Sequence, residues 1–334
     1  MYEMEFFYVK LISAFCVAFM ITFYLVPVFR NLAIKFGIID KPDGKLKDHQ
    51  EPVAYLGGVA VFTGFVVSLA ILFPDSKEIF ILFPVTLLLL LGLIDDLIPL
   101  NPLVKFCGQI LAAVCFIKFG FVLSLEYFHY YVNVALSLLW FLTVVNAINL
   151  VDVMDGLATS LSIATLASFL VFSIILYQHA LALFLVILIG CLIAFLYYNR
   201  DPASIYLGDS GSLFLGGCVA ACPFLIDWTI VSPLGILAPI FILGVPLLEI
   251  TQLVVIRTIK GIPFYRGSKD HFSIYLLQNG WSKIVIIDYI YVMSILLFFI
   301  SYWLVFEAVS LSRIVILFIL FLVIWFFFLI RKIT

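Results

Sequence analysis

Charged residues are scarce in this chain: Asp, Glu, Lys and Arg make up 11% of its 334 residues, whereas hydrophobic residues make up 65%. Soluble domains carry about 25% charged residues, because a surface in contact with water needs them. The composition therefore excludes a soluble globular enzyme, an intrinsically disordered chain and a collagen-like chain. It predicts an all-α, polytopic integral membrane protein.

An excess of basic charge is also missing, since the net charge is -2 at pH 7. The chain therefore lacks the field on which nucleic-acid binding relies, and we expect no nucleic-acid partner. The six cysteines form no C-x-x-C pair and lie within apolar runs. We interpret them as small buried hydrophobic residues, neither disulfide partners nor zinc ligands.

Long apolar runs, by contrast, are abundant. A helix needs about 20 mostly apolar residues to cross the hydrocarbon core. Dividing the chain where charged, Pro/Gly or Asn/Asp clusters interrupt these runs predicts eleven spans. A miscount by one would reverse the orientation of the later spans. The predicted spans are approximately 6–28, 55–73, 79–94, 103–119, 132–150, 157–177, 179–198, 211–227, 233–255, 284–306 and 312–330.

The distribution of Lys and Arg tests this count, because basic residues concentrate in cytoplasmic loops. With the N-terminus outside, fourteen of the 18 basic residues fall on the cytoplasmic side; Lys10, Lys77, Lys118 and Arg313 do not. We therefore predict an outside N-terminus, a cytoplasmic C-terminus and one membrane domain over residues 1–334. The last two spans lie within residues 284–334 of that domain.

The polar clusters of the chain gather on the cytoplasmic side of this topology. Ordinary solvated loops would explain any one of them, but five clusters rich in Asp, Asn and Gly on one face indicate an active site at the membrane surface. The clusters cover residues 40–49, 95–105, 146–156, 199–212 and 261–271.

Asp95 and Asp96 are adjacent at the end of the third span. Repulsion between two neighbouring carboxylates implies a metal ion or a lysine partner. Lys105, at the start of the next span, is the candidate partner or a phosphate ligand. A helix cap would explain one of these aspartates but not both.

Asn146 and Asn149 lie three residues apart in the last turn of the fifth span, and Asp152 and Asp155 continue the spacing. Four oxygen-bearing side chains can then converge on one face. Hard oxygen ligands of this kind suit Mg²⁺ bound together with a substrate phosphate. A polar turn with Asp155 as a helix cap is the plainer alternative, and it accounts for one of the four.

Residues 206–212, Tyr-Leu-Gly-Asp-Ser-Gly-Ser, open the eighth span. Glycines such as Gly208 let the backbone approach a ligand, and the N-terminus of the following helix offers free N–H groups. Asp209 could hold a metal ion that bridges to phosphate. The spacing differs from that of a Walker-type loop, and a plain turn is the alternative.

The last large loop supplies Arg266, Lys269, Asp270 and His271. The cations could neutralise a diphosphate, and the histidine could bind phosphate or transfer a proton. Ordinary basic anchoring on the cytoplasmic side would explain the cations but not the adjacent Asp-His pair. A structural histidine is the equally weighted alternative.

Taken together, these clusters resemble the polyprenyl-phosphate N-acetylhexosamine-1-phosphate transferases, of which phospho-N-acetylmuramoyl-pentapeptide transferase is a relative. The resemblance covers residues 38–282 and consists of five motifs in the family's order. The motifs read DKPDGKLKDHQEPVAYLGG (40–58), GLIDDLIPLNPLVKFCGQILAA (92–113), NAINLVDVMDGLA (146–158), YLGDSGSLFLGG (206–217) and PFYRGSKDHF (263–272).

The resemblance implies roles for particular side chains. It makes Asp95 and Asp96 the family's paired aspartates, of which one deprotonates or orients the lipid phosphate, and it places Lys105 on a phosphate. Asn149 and Asp209 would hold Mg²⁺, with Mn²⁺ as an alternative ion. The nucleotide and substrate would be met by Asp152, Asp155, Tyr206, Asn146, Gly208, Ser210, Arg266, Lys47 and His49, with His271 among the catalytic residues.

Two positions depart from the family's pattern. Val153 replaces a glycine that is usual in the third motif, and the final histidine-rich motif retains only its first histidine, His271. The second departure bears on the role of this loop and on the choice of donor sugar.

The resemblance implies transfer of a sugar-1-phosphate, GlcNAc-1-phosphate before others, from a UDP-sugar to undecaprenyl phosphate with release of UMP. Its partners would be a UDP-N-acetylhexosamine, the polyprenyl phosphate and membrane lipid, with a homodimer left open, and its place the bacterial inner membrane with a cytoplasmic active site. Transfer of phospho-MurNAc-pentapeptide is the alternative within the enzyme class. A secondary transporter is the alternative outside it, but its coupling and substrate residues should cluster near mid-membrane, often on broken helices in two related halves, and the sequence shows neither signature.

Overall fold

The computed structural model describes residues 2–40, 53–72, 76–126, 128–261, 263, 270–307 and 311–330. The described chain is almost entirely helical and forms two compact units, Met1–Leu225 and Ile226–Thr334. The all-α class predicted from the composition is therefore confirmed. That a single domain covers both units stays a prediction.

Within the described residues, the first unit consists mainly of eight α-helices. Helix α7 is buried on nearly every side, as expected for a helix that has no polar face. The helices are α1 (Tyr2–Phe36), α2 (Gly57–Leu72), α3 (Leu82–Leu97), α4 (Pro102–Lys118), α5 (Tyr130–Val151), α6 (Leu157–Ile175), α7 (His179–Asn199) and α8 (Gly208–Ala221).

A short antiparallel pair, β1 (Ile39–Asp40) and β2 (Val53–Ala54), lies beside the loop that precedes α8. Ala54 forms a parallel bridge with Ile205. The N–H of Gly57 then donates to the carbonyl of Tyr206 at 3.1 Å, and that of Gly58 to the next carbonyl at 2.9 Å. These bonds fix the start of α2 against the loop of the fourth motif.

The second unit contains five helices, of which two form a broken pair. The segment Pro233–Ile242 and the helix that follows it are bent by 67° at a break of a single residue, Leu243. The helices of this unit are α9 (Ala238–Ile242), α10 (Gly244–Ile259), α11 (Phe272–Gln278), α12 (Lys283–Phe306) and α13 (Leu311–Ile330).

Each of the eleven predicted spans coincides with one helix or, for 233–255, with the broken pair. Within the described residues, six helices are long and apolar enough to cross a membrane, or seven if the bent pair counts as one span. A membrane protein with several spans is therefore confirmed. The count of eleven and the orientation stay predictions.

The cysteine prediction is confirmed in part. All six cysteines are free, and Cys191, Cys218 and Cys222 are buried. Cys16 and Cys107 are exposed, so the prediction of burial is wrong for them. Both occupy helix faces that the rest of the protein does not cover, which an apolar run alone cannot distinguish from a buried face.

Helix α3 approaches the beginning of α8 too closely for any side chain at Gly92. A Cβ atom there would lie 2.2 Å from the carbonyl oxygen of Asp209 and 2.4 Å from the amide nitrogen of Ser210. On the other side, a Cβ at Gly58 of α2 would lie 2.2 Å from the amide nitrogen of Gly211. Glycine thus permits α2 and α3 to clamp the first turn of α8 between them.

We expect Gly92→Ala to displace α8, because the added methyl group meets backbone atoms that cannot rotate away. Overpacking of this kind costs about 1–3 kcal/mol. The melting temperature of the detergent-purified protein should fall. Gly108→Ala is the matched control, since its Cβ would meet a methyl group of Leu91, at 2.7 Å, at the end of a flexible side chain. Equal melting temperatures for the two variants would contradict this account.

Candidate active site

The turn between α3 and α4 brings the first lysine of α4 back to the end of α3. Asn101 caps α4, since its side chain accepts from the N–H of Leu103 at 2.9 Å, and Pro102 occupies the first helical position. Asp95 braces the same turn by accepting from the N–H of Leu100 at 2.6 Å. Lys105 therefore lies in the first turn of α4, beside the paired aspartates.

Lys105 joins two carboxylates that come from different helices. Its ammonium lies 2.8 Å from Oδ2 of Asp95 and 2.6 Å from Oδ2 of Asp209. Asp95 is at the end of α3 and Asp209 is in the first turn of α8. Three predicted site residues thus meet at one point, and Lys105 contacts one of the paired aspartates, Asp95.

Asp96 makes a different set of contacts from its neighbour. Its Oδ1 accepts from the N–H of Asp209 at 2.8 Å, and its Oδ2 accepts from the N–H of Ser210 at 3.0 Å. Gly208, with φ +73°, leaves no room for a side chain, since a Cβ there would lie 2.7 Å from an Asp96 oxygen. Asp96 thus satisfies the free N–H groups at the start of α8 and lies at the positive end of its dipole.

The last turn of α5 holds Asp209 from the opposite side. The amide nitrogen of Asn149 lies 2.6 Å from Oδ1 of Asp209 and 2.8 Å from the hydroxyl of Ser212. The two residues predicted to bind a metal ion are therefore adjacent. Ser212, which is buried, is an additional partner that the sequence did not single out.

Asn146 faces another helix. Its amide exchanges two hydrogen bonds with the amide of Gln109 on α4, at 2.8 Å and 3.2 Å. Gln109 is buried and was not predicted. The expectation that four oxygen-bearing side chains of the third motif converge thus fails for Asn146. Three residues fall short of a full helical turn, so its side chain is rotated by about 60° from that of Asn149 and faces α4 rather than α8.

Negative charge accumulates around the end of α5. Burial raises the pKa of Asp152 well above its ordinary value, and the charges of Asp209, Asp96 and Asp155 raise it further. Burial also raises the pKa of Tyr206, with the charge of Asp155 and of two other aspartates as the next causes. These aspartates therefore interact electrostatically, and a cation at this point would be favoured.

Tyr206 presents an aromatic surface at the edge of this acidic region. Its ring is 6.0 Å from the ring of Tyr55, at an interplanar angle of 59°. Its backbone is held by β2, because its N–H donates to the carbonyl of Ala54 at 2.8 Å. The predicted nucleotide-stacking residue is thus fixed in place by the neighbouring strand.

In the second unit, His271 is buried against an acidic residue that the sequence analysis missed. Its Nδ1 lies 2.9 Å from Oε1 of Glu249 on α10, and the N–H of Phe272 donates to the other oxygen of that carboxylate at 3.4 Å. Glu249 interrupts the apolar run 233–255. An ionisable residue within a predicted span is a signal of function that could have identified it.

Three of the predicted substrate-binding residues lie outside the described residues: Lys47, His49 and Arg266. Ser210 is described and fully buried at the start of α8. Its backbone N–H is held by Asp96, as described above.

The donor set fits the predicted ion in chemical type. Within the described part of the chain, no group of three or more His, Cys, Asp or Glu residues is arranged as a metal site. The adjacent pair of Asn149 and Asp209 offers an amide and a carboxylate, and a half-turn of the amide would direct its oxygen to the same point. Two hard oxygen ligands suit Mg²⁺, which usually keeps waters and substrate phosphates as its other ligands.

Comparison with known proteins places this geometry in a family. Residues 79–227 match the family model described as glycosyl transferase family 4. This range contains all the contacts among Asp95, Asp96, Lys105, Asn149 and Asp209.

Curated relatives extend the match over most of the chain. A probable undecaprenyl-phosphate N-acetylglucosaminyl 1-phosphate transferase of Bacillus subtilis is 28% identical over 86% of this chain and 82% of its own length. A phospho-N-acetylmuramoyl-pentapeptide-transferase of Listeria welshimeri is 30% identical over 82% of this chain and 91% of its own. The enzyme of that name from Staphylococcus epidermidis is 30% identical over 86% and 97%, respectively. The chain therefore belongs to glycosyl transferase family 4, as its five motifs predict.

Proposed function

We propose that the protein transfers a sugar-1-phosphate, rather than a bare sugar, from a UDP-sugar to undecaprenyl phosphate. An oxygen of the lipid phosphate attacks the β-phosphorus of the donor, the bond from that phosphorus to the oxygen of the α-phosphate breaks, and UMP leaves. The observation that carries the proposal is the meeting of Asp95, Lys105 and Asp209 from three helices. Family membership supports the same reaction type.

The arrangement of charges suits phosphoryl transfer, which depends mainly on positioning and on neutralising charge. Lys105 can leave one carboxylate for a phosphate oxygen while it keeps the other, because it contacts both. Asp95, which keeps one oxygen on the turn and the other on Lys105, would orient the lipid phosphate or accept its proton. Asp96 would act on the reaction by positioning α8, since both of its oxygens bind that helix.

We propose that Asn149 and Asp209 hold Mg²⁺, with Mn²⁺ as a substitute. When bound, the ion would draw charge from the diphosphate and stabilise the leaving UMP. Support comes from the 2.6 Å distance between Nδ2 of Asn149 and Oδ1 of Asp209, and from the accumulation of aspartates around these two side chains.

We assign the nucleotide to the region of Tyr206, Asp152 and Asp155. The ring of Tyr206 can stack on a uracil base, and the carboxyl group of Asp152 can form a hydrogen bond with the nucleotide. Lys47, His49 and Arg266 would contact donor phosphates, a role that follows from their motifs alone. Asn146 would support the site through the two hydrogen bonds between its side-chain amide and that of Gln109.

We propose the topology of eleven spans, with the N-terminus outside and the site at the cytoplasmic face of the bacterial inner membrane. UDP-sugars are water-soluble, whereas the polyprenyl tail stays in the bilayer, so the reacting phosphates must meet at this boundary. GlcNAc-1-phosphate is the proposed group, in line with the Bacillus subtilis relative. The relatives at 30% identity favour phospho-MurNAc-pentapeptide as the second candidate.

We expect purified protein to release UMP from UDP-GlcNAc only when undecaprenyl phosphate and Mg²⁺ are both present. Nucleotide products can be separated by chromatography, with one control lacking lipid and another containing EDTA. UDP-MurNAc-pentapeptide in place of UDP-GlcNAc tests the second candidate. Release of UDP would contradict the mechanism, because the β-phosphate would then have stayed on the nucleotide.

We expect Mg²⁺ to raise the melting temperature of the wild-type protein, because a ligand that binds only the folded state stabilises it. The rise should disappear in Asp209→Asn, which loses a charged ligand. Asp227→Asn is the matched control, since this exposed aspartate contacts Thr229. An equal rise in all three proteins would show that Mg²⁺ binds elsewhere.

The two adjacent aspartates should respond differently to the same substitution. Asp96→Asn replaces one acceptor at the start of α8 by an N–H group, so both turnover and stability should fall, the latter by about 1–2 kcal/mol, typical of a lost cap. Asp95→Asn keeps the oxygen that accepts from Leu100, so turnover should fall with a smaller change in melting temperature. Reversed stability effects would refute this division of roles.

A further inference from the structure

Helix α10 carries a row of polar side chains on an otherwise apolar segment. Glu249 is fully buried at 0% exposure, and Arg257 is buried at 3%. Gln252 lies between them, and Lys260 follows directly after the helix. A buried ionisable side chain in a membrane-spanning segment is expensive unless it is paired, so its partners indicate what it does.

Both carboxylate oxygens of Glu249 contact the beginning of α11. Oε1 lies 2.9 Å from Nδ1 of His271, and Oε2 accepts from the N–H of Phe272 at 3.4 Å. His271 precedes α11 directly, so the carboxylate holds both the imidazole ring and the first N–H of that helix. The end of the last motif is thereby attached to α10.

The contact between Glu249 and His271 determines which ring nitrogen of the histidine is available to a substrate. When Glu249 is ionised, its carboxylate only accepts hydrogen bonds, so Nδ1 of His271 carries the proton in that state. Nε2 is then an acceptor in the neutral ring and a donor in the imidazolium ion.

The neighbouring charges have their own contacts. Asp270 is 2.5 Å from the ammonium of Lys260, a pair that closes the base of the loop between α10 and α11. Arg257 interacts electrostatically with both Asp270 and Glu249. Glu249 is thus the carboxylate that contacts the histidine, while Asp270 is engaged by the lysine.

We propose that Glu249 is a positioning residue for the transfer reaction. It fixes the ring of His271 with Nδ1 against its carboxylate, so that Nε2 is the ring nitrogen that remains for a phosphate oxygen. This inference rests on the proposed function, in which His271 belongs to the catalytic residues. It accounts for a buried carboxylate in an apolar helix, and it explains how a single histidine of the final motif can be held in one orientation.

A double-mutant cycle tests the proposal, because a residue that acts through another has no separate effect once the other is gone. In Glu249→Gln we expect the kcat for UMP release to fall about 10- to 100-fold, as for other partners that orient a functional histidine. His271→Asn keeps a nitrogen at the position of Nδ1 but removes Nε2, and should lose at least as much. The double variant should be no slower than His271→Asn alone. Multiplied losses in the double variant would overturn the proposal.

Gln252→Leu is the matched control on the same helix. It removes the hydrogen bond from the indole N–H of Trp325, which is 3.2 Å long, and leaves His271 untouched. A purely structural role for the polar row predicts equal losses of kcat in Gln252→Leu and Glu249→Gln. Positioning by Glu249 predicts a wild-type kcat in Gln252→Leu, whatever its melting temperature.

A readout independent of activity separates this inference from the proposed function. The chain has four histidines, so the ring ¹⁵N signals of His271 can be identified by their loss in His271→Asn. We expect a protonated Nδ1 in the wild-type protein and a shifted signal in Glu249→Gln. A wild-type ring that lacks the Nδ1 proton would overturn the proposal. Failure of the wild-type protein to release UMP from any donor would instead refute the proposed function and leave the NMR result to decide the positioning.

Discussion

The site depends on the contact between the carboxylate of Asp96 and the first turn of α8. Free N–H groups at a buried helix start must find acceptors, and here one side chain supplies two of them from another helix. The contact requires a close approach of the helices, which Gly92 permits one turn earlier on the same face of α3. Once α8 is held in this way, Asp209 can reach Lys105 and Asn149 together.

Charge balance explains why the remaining polar residues lie where they do. The end of α5, the start of α8 and the end of α3 each contribute aspartates to one region, whereas Lys105 is the cation that contacts two of them. Such a region is unfavourable in an apolar medium unless cations or water are close. In the proposed topology the site lies at the membrane boundary, where a diphosphate with a divalent ion would enter from water and replace the contacts of Lys105. The geometry therefore suits a substrate that brings its own counter-ion.

Much of this could be predicted from the sequence, because its apolar runs and motif residues carry the information locally. Every predicted span falls on a helix, and the residues of α3, α4 and α8 meet as the motifs imply. The partner of Asn146 could not be predicted, since the direction of its side chain depends on how α5 is rotated against α4. The exposed faces of Cys16 and Cys107 depend in the same way on packing. The close approaches at Gly92 and Gly58 could not be predicted, because the backbone atoms that these glycines meet are distant in the chain.

Asp96 and Glu249 make the same kind of contact in different parts of the chain. Each is a carboxylate on one helix that accepts from the first N–H groups of another helix, and each of those helices follows a motif loop. A loop at a membrane boundary has little apolar surface to bury, so hydrophobic packing cannot fix it strongly. A carboxylate held in a low-dielectric surrounding forms stronger hydrogen bonds there than it would in water. Anchoring the helix that follows the loop thus orients the polar side chains of the motif without filling the space that a substrate needs.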